Sequence, residues 1–484
     1  MLFNSVDFLV FFPIVVMLYF IVPRKLRYIV LLIASYYFYM SWNPKYAALI
    51  GLSTLTTWAC SLLMGKVESS TKRKVFLVLN CLVNLGILLV FKYANFAIGN
   101  VSRVLSMFGF KTIERRLDLL LPVGISFYTF QALSYTFDVF KNKITPEKNL
   151  LRYALYVSFF PQLVAGPIER STNLLPQVQN IEKKQLWNYD RIRDGFLLMV
   201  WGYFQKLVIA DRASILVDNV INNYVNYGFF EISIAVFLFA FQIYCDFGGY
   251  SNIARGAAKV MGFELMHNFK QPYLATSIKE FWRRWHISLT SWFTDYLYIP
   301  LGGNRKGEIR KYINIFVVFA VSGLWHGASW SFVVWGLLHA TYQVAEAIIK
   351  KYTDSGKKVS ETISAKIRNV IITFLFVDFA WIFFVSNGLK NALRLIRQMF
   401  TVFQTTDFYE LGLDRGNWFM LNFGLITLLI VDILHEKKIS IFECVAKQEM
   451  WFRWLLYFTL LWITIMFGIY GPEYDTSTFI YFQF

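Results

Sequence analysis

The sequence predicts an all-α, polytopic membrane protein, and three observations predict it. Of its 484 residues, 56% are hydrophobic and 19% aromatic, far more apolar than a soluble domain of ordinary composition. Apolar stretches recur along the whole length, near residues 8–22, 29–42, 46–63, 75–91, 119–140, 196–209, 232–243, 313–324, 330–349, 370–385, 419–433 and 451–469. The Lys and Arg residues behind a net charge of +17 concentrate in the short connections between them. Some stretches approach the roughly 20 residues that cross a hydrocarbon core and others are shorter, so roughly ten to thirteen crossings are expected, plus re-entrant or interfacial helices.

Taken in order, the opening "MLFNSVDFLVFFPIVVMLYFIVPRK" has no basic residue before its apolar part and Arg24, Lys25 and Arg27 after it. That is the reverse of a cleavable leader, so the segment is expected to stay, with its N-terminus outside. The basic connections "KVESSTKRK" (66–74) and "KNKITPEK" (141–148) follow the third and fifth stretches and fit that orientation. The basic "RVLSMFGFKTIERR" (103–116) would lie outside, as an interfacial helix. Orientation in membrane lipids accounts for the charge, so no nucleic-acid partner is expected. Cys60, Cys81, Cys245 and Cys444 are widely spaced with no C-x-x-C or His/Cys cluster, which argues against a metal site or a disulfide framework. Without repeats or long linkers, one integral membrane domain is expected over 1–484, with core motifs in 119–345 and peripheral helices in 1–100 and 365–470. The peripheral helices read as plain lipid-type segments. Polar and glycine interruptions, costly in a bilayer, gather between Pro122 and His339.

Four constellations lie in that middle. In "GISFYTFQALSYTFD" a helix puts Gly124, Tyr128, Gln131, Tyr135 and Asp138 on one stripe, which must face a cavity or partner helices because Gln and Asp facing lipid would be costly. In "FFPQLVAGPIER", Pro161 and Pro167 remove backbone donors and Gly166 loosens the chain, so a continuous helix is not expected. Either the freed carbonyls line a cavity with Gln162, Glu169 and Arg170, or Glu169 and Arg170 cap a helix end at the membrane surface. In "FQIYCDFGGYSNIARG", Gln242, Asp246 and Tyr250 share a helix face, although Gly248 and Gly249 read as a break. Asp246 is then either a functional carboxylate at membrane depth or a helix-end acid paired with Arg255. The fourth, "KEFWRRWHISLTSWFTDYLYIPLGGNRKG", reads as a helix with Phe281, Trp285, Leu289, Trp292 and Tyr296 on one face. Arg283, Arg284 and His286 crowd it, so it suits a buried or re-entrant helix rather than a span.

About 40 residues further on, "VSGLWHGASW" sets Trp325 and His326 between Gly323 and Gly327. Of five histidines, His267 and His435 stand beside polar residues at segment ends and read as solvated. His339 lies 13 positions after His326, about 220° around and about 20 Å along one unbroken helix, so the two would not share a site. His326 is either a base or a packing residue; flanking glycines allow close approach of a substrate or another backbone. A buried base without a P-loop or G-x-S-x-G elbow could deprotonate a hydroxyl that attacks an activated acyl carbonyl. His326 would be that base, His286 or Arg283 a positioning or electrostatic group, and the polar middle helices the channel.

The residues "EFWRRWHISLTSWFTDYLYIPLGGNR" and "GLWHGASWSFVVWG" resemble the membrane-bound O-acyltransferase family, in its bacterial branch with the alginate O-acetylation membrane protein. "MLFNSVDFLVFFPIVV", "ASYYFYMSWNP", "LPVGISFYTFQALSY", "FFPQLVAGPIER" and "QIYCDFGGYSNIARG" resemble it too, in order, so the likeness covers most of residues 1–345. The resemblance implies a helical fold around a central funnel, an essential histidine at His326 and a second prominent one at His286. Asp246, Glu169 and Arg170 match its motifs, while Gly248 and Asn252 depart from it. It implies acyl transfer from a cytoplasmic donor, with acetyl-CoA as the expected donor substrate and no bound cofactor, toward a polysaccharide acceptor outside. An extracytoplasmic SGNH-type partner and a bacterial plasma membrane are implied with it. D-alanyl transfer to teichoic acid from a carrier protein, or transport of a lipid-linked glycan, remain as alternatives, the latter without a visible inverted repeat.

Overall fold

The computed structural model describes residues 1–112, 117–119, 121–164, 166–353, 362–403, 405–470 and 479–480. Residues 113–116, the end of the basic stretch read as an interfacial helix, lie outside them. Among the described residues every regular element is helical. The chain divides into two compact units, Met1–Phe196 with Ala254–Met266, and Leu197–Ile253 with His267–Phe484.

Seven described helices are long and apolar enough to cross a membrane: Pro44–Lys66, Ser70–Met107, Phe229–Val260, Trp330–Thr353, Ile363–Val385, Arg415–Glu436 and Met450–Phe467. Val6–Ile21 is apolar but shorter. Fewer helices qualify than the ten to thirteen expected from apolar runs, because several runs fold as shorter pieces. Arg27–Met40 spans 14 residues and Ile125–Phe140 spans 16. The stretch around Pro161 breaks into Leu150–Ser158 and Phe160–Leu163. Large apolar side chains cover the outer faces, such as Leu9, Ile14 and Met17 on the first helix and Trp451, Phe458 and Trp462 on the last. The chain is a multi-pass, all-α membrane protein.

In the first unit, Ala47–Lys66, Ser70–Leu88 and Ile125–Phe140 pack on one another through polar side chains. Ser53 donates to Asn84 Oδ1 at 2.5 Å, Thr57 to Asn80 Oδ1 at 3.0 Å, and Asn80 Nδ2 to Thr136 at 2.5 Å. The early helices are therefore not plain lipid-type segments. Such interhelical bonds average about 0.6 kcal/mol each in a membrane. Their larger effect is on register, since a slip would strand amides in hydrocarbon.

In the second unit, Glu308–His326 and Trp330–Thr353 are joined by a short turn and pack along each other. A Cβ on Gly323 would collide with the Phe332 carbonyl oxygen, and one on Gly336 with that of Phe319. Small residues let two helix backbones close to this distance. The same logic corrects the expected break at Gly248–Gly249: Phe229–Val260 runs unbroken for 32 residues. Gly249 is there for contact, because a Cβ on it would lie 2.7 Å from the Gly202 carbonyl oxygen.

Candidate active site

The segment read as one helix around His286 is two. Ile278–Arg284 opens with the Ser277 side chain accepting from Glu280 N at 3.1 Å, and Ile287–Phe293 follows after a corner. Trp285 is extended at the corner and His286 is left-handed, with φ 42° and ψ 53°. For a residue with a Cβ that conformation costs about 1–2 kcal/mol. Two backbone bonds pin the corner to the preceding segment, Lys270 N to Arg284 O at 3.0 Å and Ile287 N to Asn268 O at 2.9 Å. Of the predicted inward face, Phe281, Trp285, Leu289 and Trp292 are buried and Tyr296 is half-buried. His286 is buried with them. Burial, outweighing a backbone hydrogen bond that favours the charged form, holds its imidazole far below the ordinary value, at about 3. The ring is therefore neutral near pH 7.

His326 is the last residue of Glu308–His326, just before the chain turns at Gly327. Its buried ring packs among Trp325 and Trp335, both 5.1 Å away, and Phe384 at 5.4 Å. The two imidazole centroids lie 6.2 Å apart. Trp325 also packs on His286, at 5.9 Å. Because the helix ends at His326, the separation computed for His339 along one continuous helix does not apply. The chain returns, and Trp335 touches both His326 and His339 at 5.1 Å. His339 accepts from Trp282 Nε1 at 3.3 Å inside an aromatic box.

Behind the pair, Phe247 packs edge-on against His286 at 4.7 Å. Its neighbour Asp246 meets Lys206 at 2.7 Å, and Lys206 meets Asp211 at 2.7 Å. The partner of Asp246 is thus Lys206 and not Arg255, and Asp246 lies within a long helix rather than at its end. The other Asp246 oxygen accepts from Ile480 N at 2.8 Å. Lys206 sits in the π-helical turn Phe204–Ala210, a distortion frequent at functional sites. Gln242, one turn before Asp246, holds its buried amide oxygen without a hydrogen-bond partner among the described residues. Arg283 is exposed, whereas Arg284 pairs with Glu280 and Glu436, each at 2.6 Å.

Gln131 and Glu169 belong to the other unit. Gln131 donates to Tyr156 O at 2.7 Å and accepts from Gln162, and the stripe Tyr128, Gln131, Tyr135 and Asp138 is buried in protein. Glu169 is no surface cap: it is fully buried, accepting from Met266 N at 2.6 Å and Asn173 at 2.7 Å. Burial, outweighing those bonds and nearby arginines, pushes its carboxyl up to about 7.

Sequence reasoning brought together His286, His326 and Trp325, and set Asp246 one residue from the side chain that packs on His286. It missed Lys206, Asn268 and Phe247. The available signal was a lysine and an aspartate bracketing the apolar "LVIA".

A family model described as MBOAT, membrane-bound O-acyltransferase family, matches residues 141–389. A probable alginate O-acetylase of Pseudomonas putida is 36% identical over 403 residues, covering 83% of this chain and 80% of the relative. A peptidoglycan O-acetyltransferase of Helicobacter pylori is 35% identical over 393 residues, covering 76% and 73%. A teichoic acid D-alanyltransferase of Bacillus subtilis is 25% identical over 286 residues, covering 56% and 70%.

Proposed function

Since the chain belongs to the membrane-bound O-acyltransferase family, we propose that it moves an acetyl group from acetyl-CoA toward an exported or cell-surface polysaccharide. The alginate and peptidoglycan O-acetylating relatives, more similar than the D-alanyl-transferring one, support acetyl over D-alanyl. The observation that carries the chemistry is the buried imidazole pair, 6.2 Å between centroids. Two imidazoles at that separation can bracket one reacting atom. His326 takes the proton of the acceptor hydroxyl as its oxygen attacks the thioester carbonyl carbon. The new C–O bond forms, the C–S bond breaks, and the proton passes from His326 to the leaving thiolate. His286, neutral through burial, donates an N–H to the developing oxyanion. Trp325 walls the pair, Gln242 offers its buried amide oxygen, and Asp246, held by Lys206 and Ile480 N, fixes the helix behind His286. Acetyl-CoA acts here as a co-substrate, not a resident cofactor. An SGNH-type partner outside a bacterial plasma membrane supplies that acceptor hydroxyl and passes the acetyl group on to the polysaccharide, and the N-terminus lies on that outer side.

The test is turnover of radiolabelled acetyl-CoA by the purified protein in detergent, against His326→Ala and His286→Ala at matched folding. Turnover that falls by about 10²–10⁴-fold in His326→Ala supports the base. A parent that ignores acetyl-CoA but accepts D-alanyl from a carrier protein moves the donor to the second reading. Transport of a glycan without acyl transfer would reject both.

A further inference from the structure

We infer that Asn268 is a positioning residue for His286: it holds the left-handed corner that aims the imidazole at His326. This rests on the acyl-transfer reading of the histidine pair. Asn268 is 1% exposed and bonds three ways. Its Nδ2 donates to Ser251 Oγ at 2.9 Å, its Oδ1 accepts from Ser288 Oγ at 2.6 Å, and its carbonyl accepts from Ile287 N at 2.9 Å. Ser251 lies on Phe229–Val260, one turn beyond Phe247, whose ring packs on His286. Ser288 lies two residues past His286, in the first turn of Ile287–Phe293. One buried amide therefore ties the helix that backs the imidazole to the helix that carries it.

Something must hold this corner. The apolar pattern of residues 281–296 favours a single right-handed helix, and a left-handed histidine costs about 1–2 kcal/mol. Relaxation of His286 into a continuous helix would redirect its side chain. The Ile287 bond to the Asn268 carbonyl and the Ser288 bond to its amide oxygen exist only with the corner bent. Phe269, the next residue, stacks edge-on with Trp285 at 4.9 Å and Phe247 at 5.2 Å, so the clamp sits within packed aromatic rings.

The experiment is a double-mutant cycle in the full-length protein, with Asn268→Ala, His286→Ala and the pair, read as kcat and KM for acetyl-CoA. Asn268→Ala is expected to lower kcat by about 10²-fold, the cost of a misplaced catalytic group, with KM little changed. In the His286→Ala background it is expected to lower kcat by less than about twofold, because a residue acting through another is non-additive with it. Ser251→Ala, which removes one bond of three, gives a smaller loss with the same coupling and covers the case in which Asn268→Ala fails to fold. Equal kcat losses in both backgrounds, or parental kcat in Asn268→Ala, overturn the proposal while leaving the histidine pair intact. Parental activity of His286→Ala overturns the acyl-transfer role of His286 and the positioning role with it. A readout independent of the donor is carbethoxylation by diethylpyrocarbonate, mapped by mass spectrometry. Faster modification of His286 alone in Asn268→Ala supports the clamp; an unchanged rate, or a rise at His326 and His339 as well, overturns it.

Discussion

The two histidines of the pair are delivered by opposite means. His326 ends a regular helix, and glycines at 323 and 336 let that helix and the next come close enough to bury it among tryptophans. His286 stands at a break, in a backbone region that glycine favours, with bonds from a segment almost twenty residues upstream holding it there. One imidazole is placed by leaving atoms out, the other by adding partners. The first device is local and robust; the second stores strain, which the surrounding structure must over-determine to keep.

The largest effect is expected where the close approach is blocked. Gly323→Ala puts a methyl group into the Phe332 carbonyl oxygen, and neither helix backbone can yield by a side-chain rotation. Overpacking costs about 1–3 kcal/mol where side chains can adjust, and more against backbone. Gly323→Ala is expected to lower the thermal midpoint sharply and to abolish the proposed acetyl-CoA turnover, with Gly336→Ala close behind. A Gly323→Ala protein that melts and turns over like the parent would remove the contrast on the His326 side.

The His286 side is probed by what each position tolerates. Asparagine visits the left-handed region readily and valine does not. The left-handed backbone is therefore expected to shift the balance between His286→Val and His286→Asn against valine by about 1–2 kcal/mol in a melting experiment, relative to a helical site of equal burial. At His326, equally buried but helical, the same pair differs only by the cost of burying an amide against an isopropyl group, so valine is expected to fare better relative to asparagine there than at 286. Equal differences at both positions would mean that the corner carries no strain of its own.

What was legible in the sequence follows the same division. The polar stripe from Tyr128 to Asp138, the proline break near Pro161 and the glycine-flanked His326 are all set by neighbours a few residues away, and each is found. The corner at His286 was hidden because its determinants, Asn268 and Lys270, are distant in sequence, while the local apolar spacing argues for a helix. Lys206 was hidden for another reason. A lysine near the end of an apolar run ordinarily snorkels to the surface, and only the chain fold sets two aspartates within 2.7 Å of it. Gly249 misled because a glycine that admits a neighbouring helix and a glycine that breaks its own helix look alike until the neighbour is known. The amides at Asn80 and Asn84 went unremarked in helices read as plain lipid-type, because their partners Ser53 and Thr136 are on other helices.

The last prediction sets the buried imidazole against a buried carboxyl in the other unit. Burial lowers His286 from 6.5 to about 3, so the unfolded chain takes up a proton there that the folded one refuses. Its contribution is fully present above pH 6.5 and is lost as pH falls toward 3. Burial raises Glu169 from 4.5 to about 7, and the sign reverses: the folded chain keeps a proton that the unfolded one releases. That contribution is present below pH 4.5 and is lost as pH rises through 7. Glu169→Gln is expected to flatten the fall in melting temperature between pH 5 and 8, and His286→Asn to flatten the fall between pH 6.5 and 5. The two windows overlap between pH 5 and 6.5, where their slopes oppose, so melting curves separate them by sign: Glu169→Gln makes the slope against pH more positive and His286→Asn makes it more negative. A Glu169→Gln protein with the parent's slope between pH 5 and 8 would mean that the Met266 and Asn173 bonds, with the neighbouring arginines, keep the carboxylate charged despite burial.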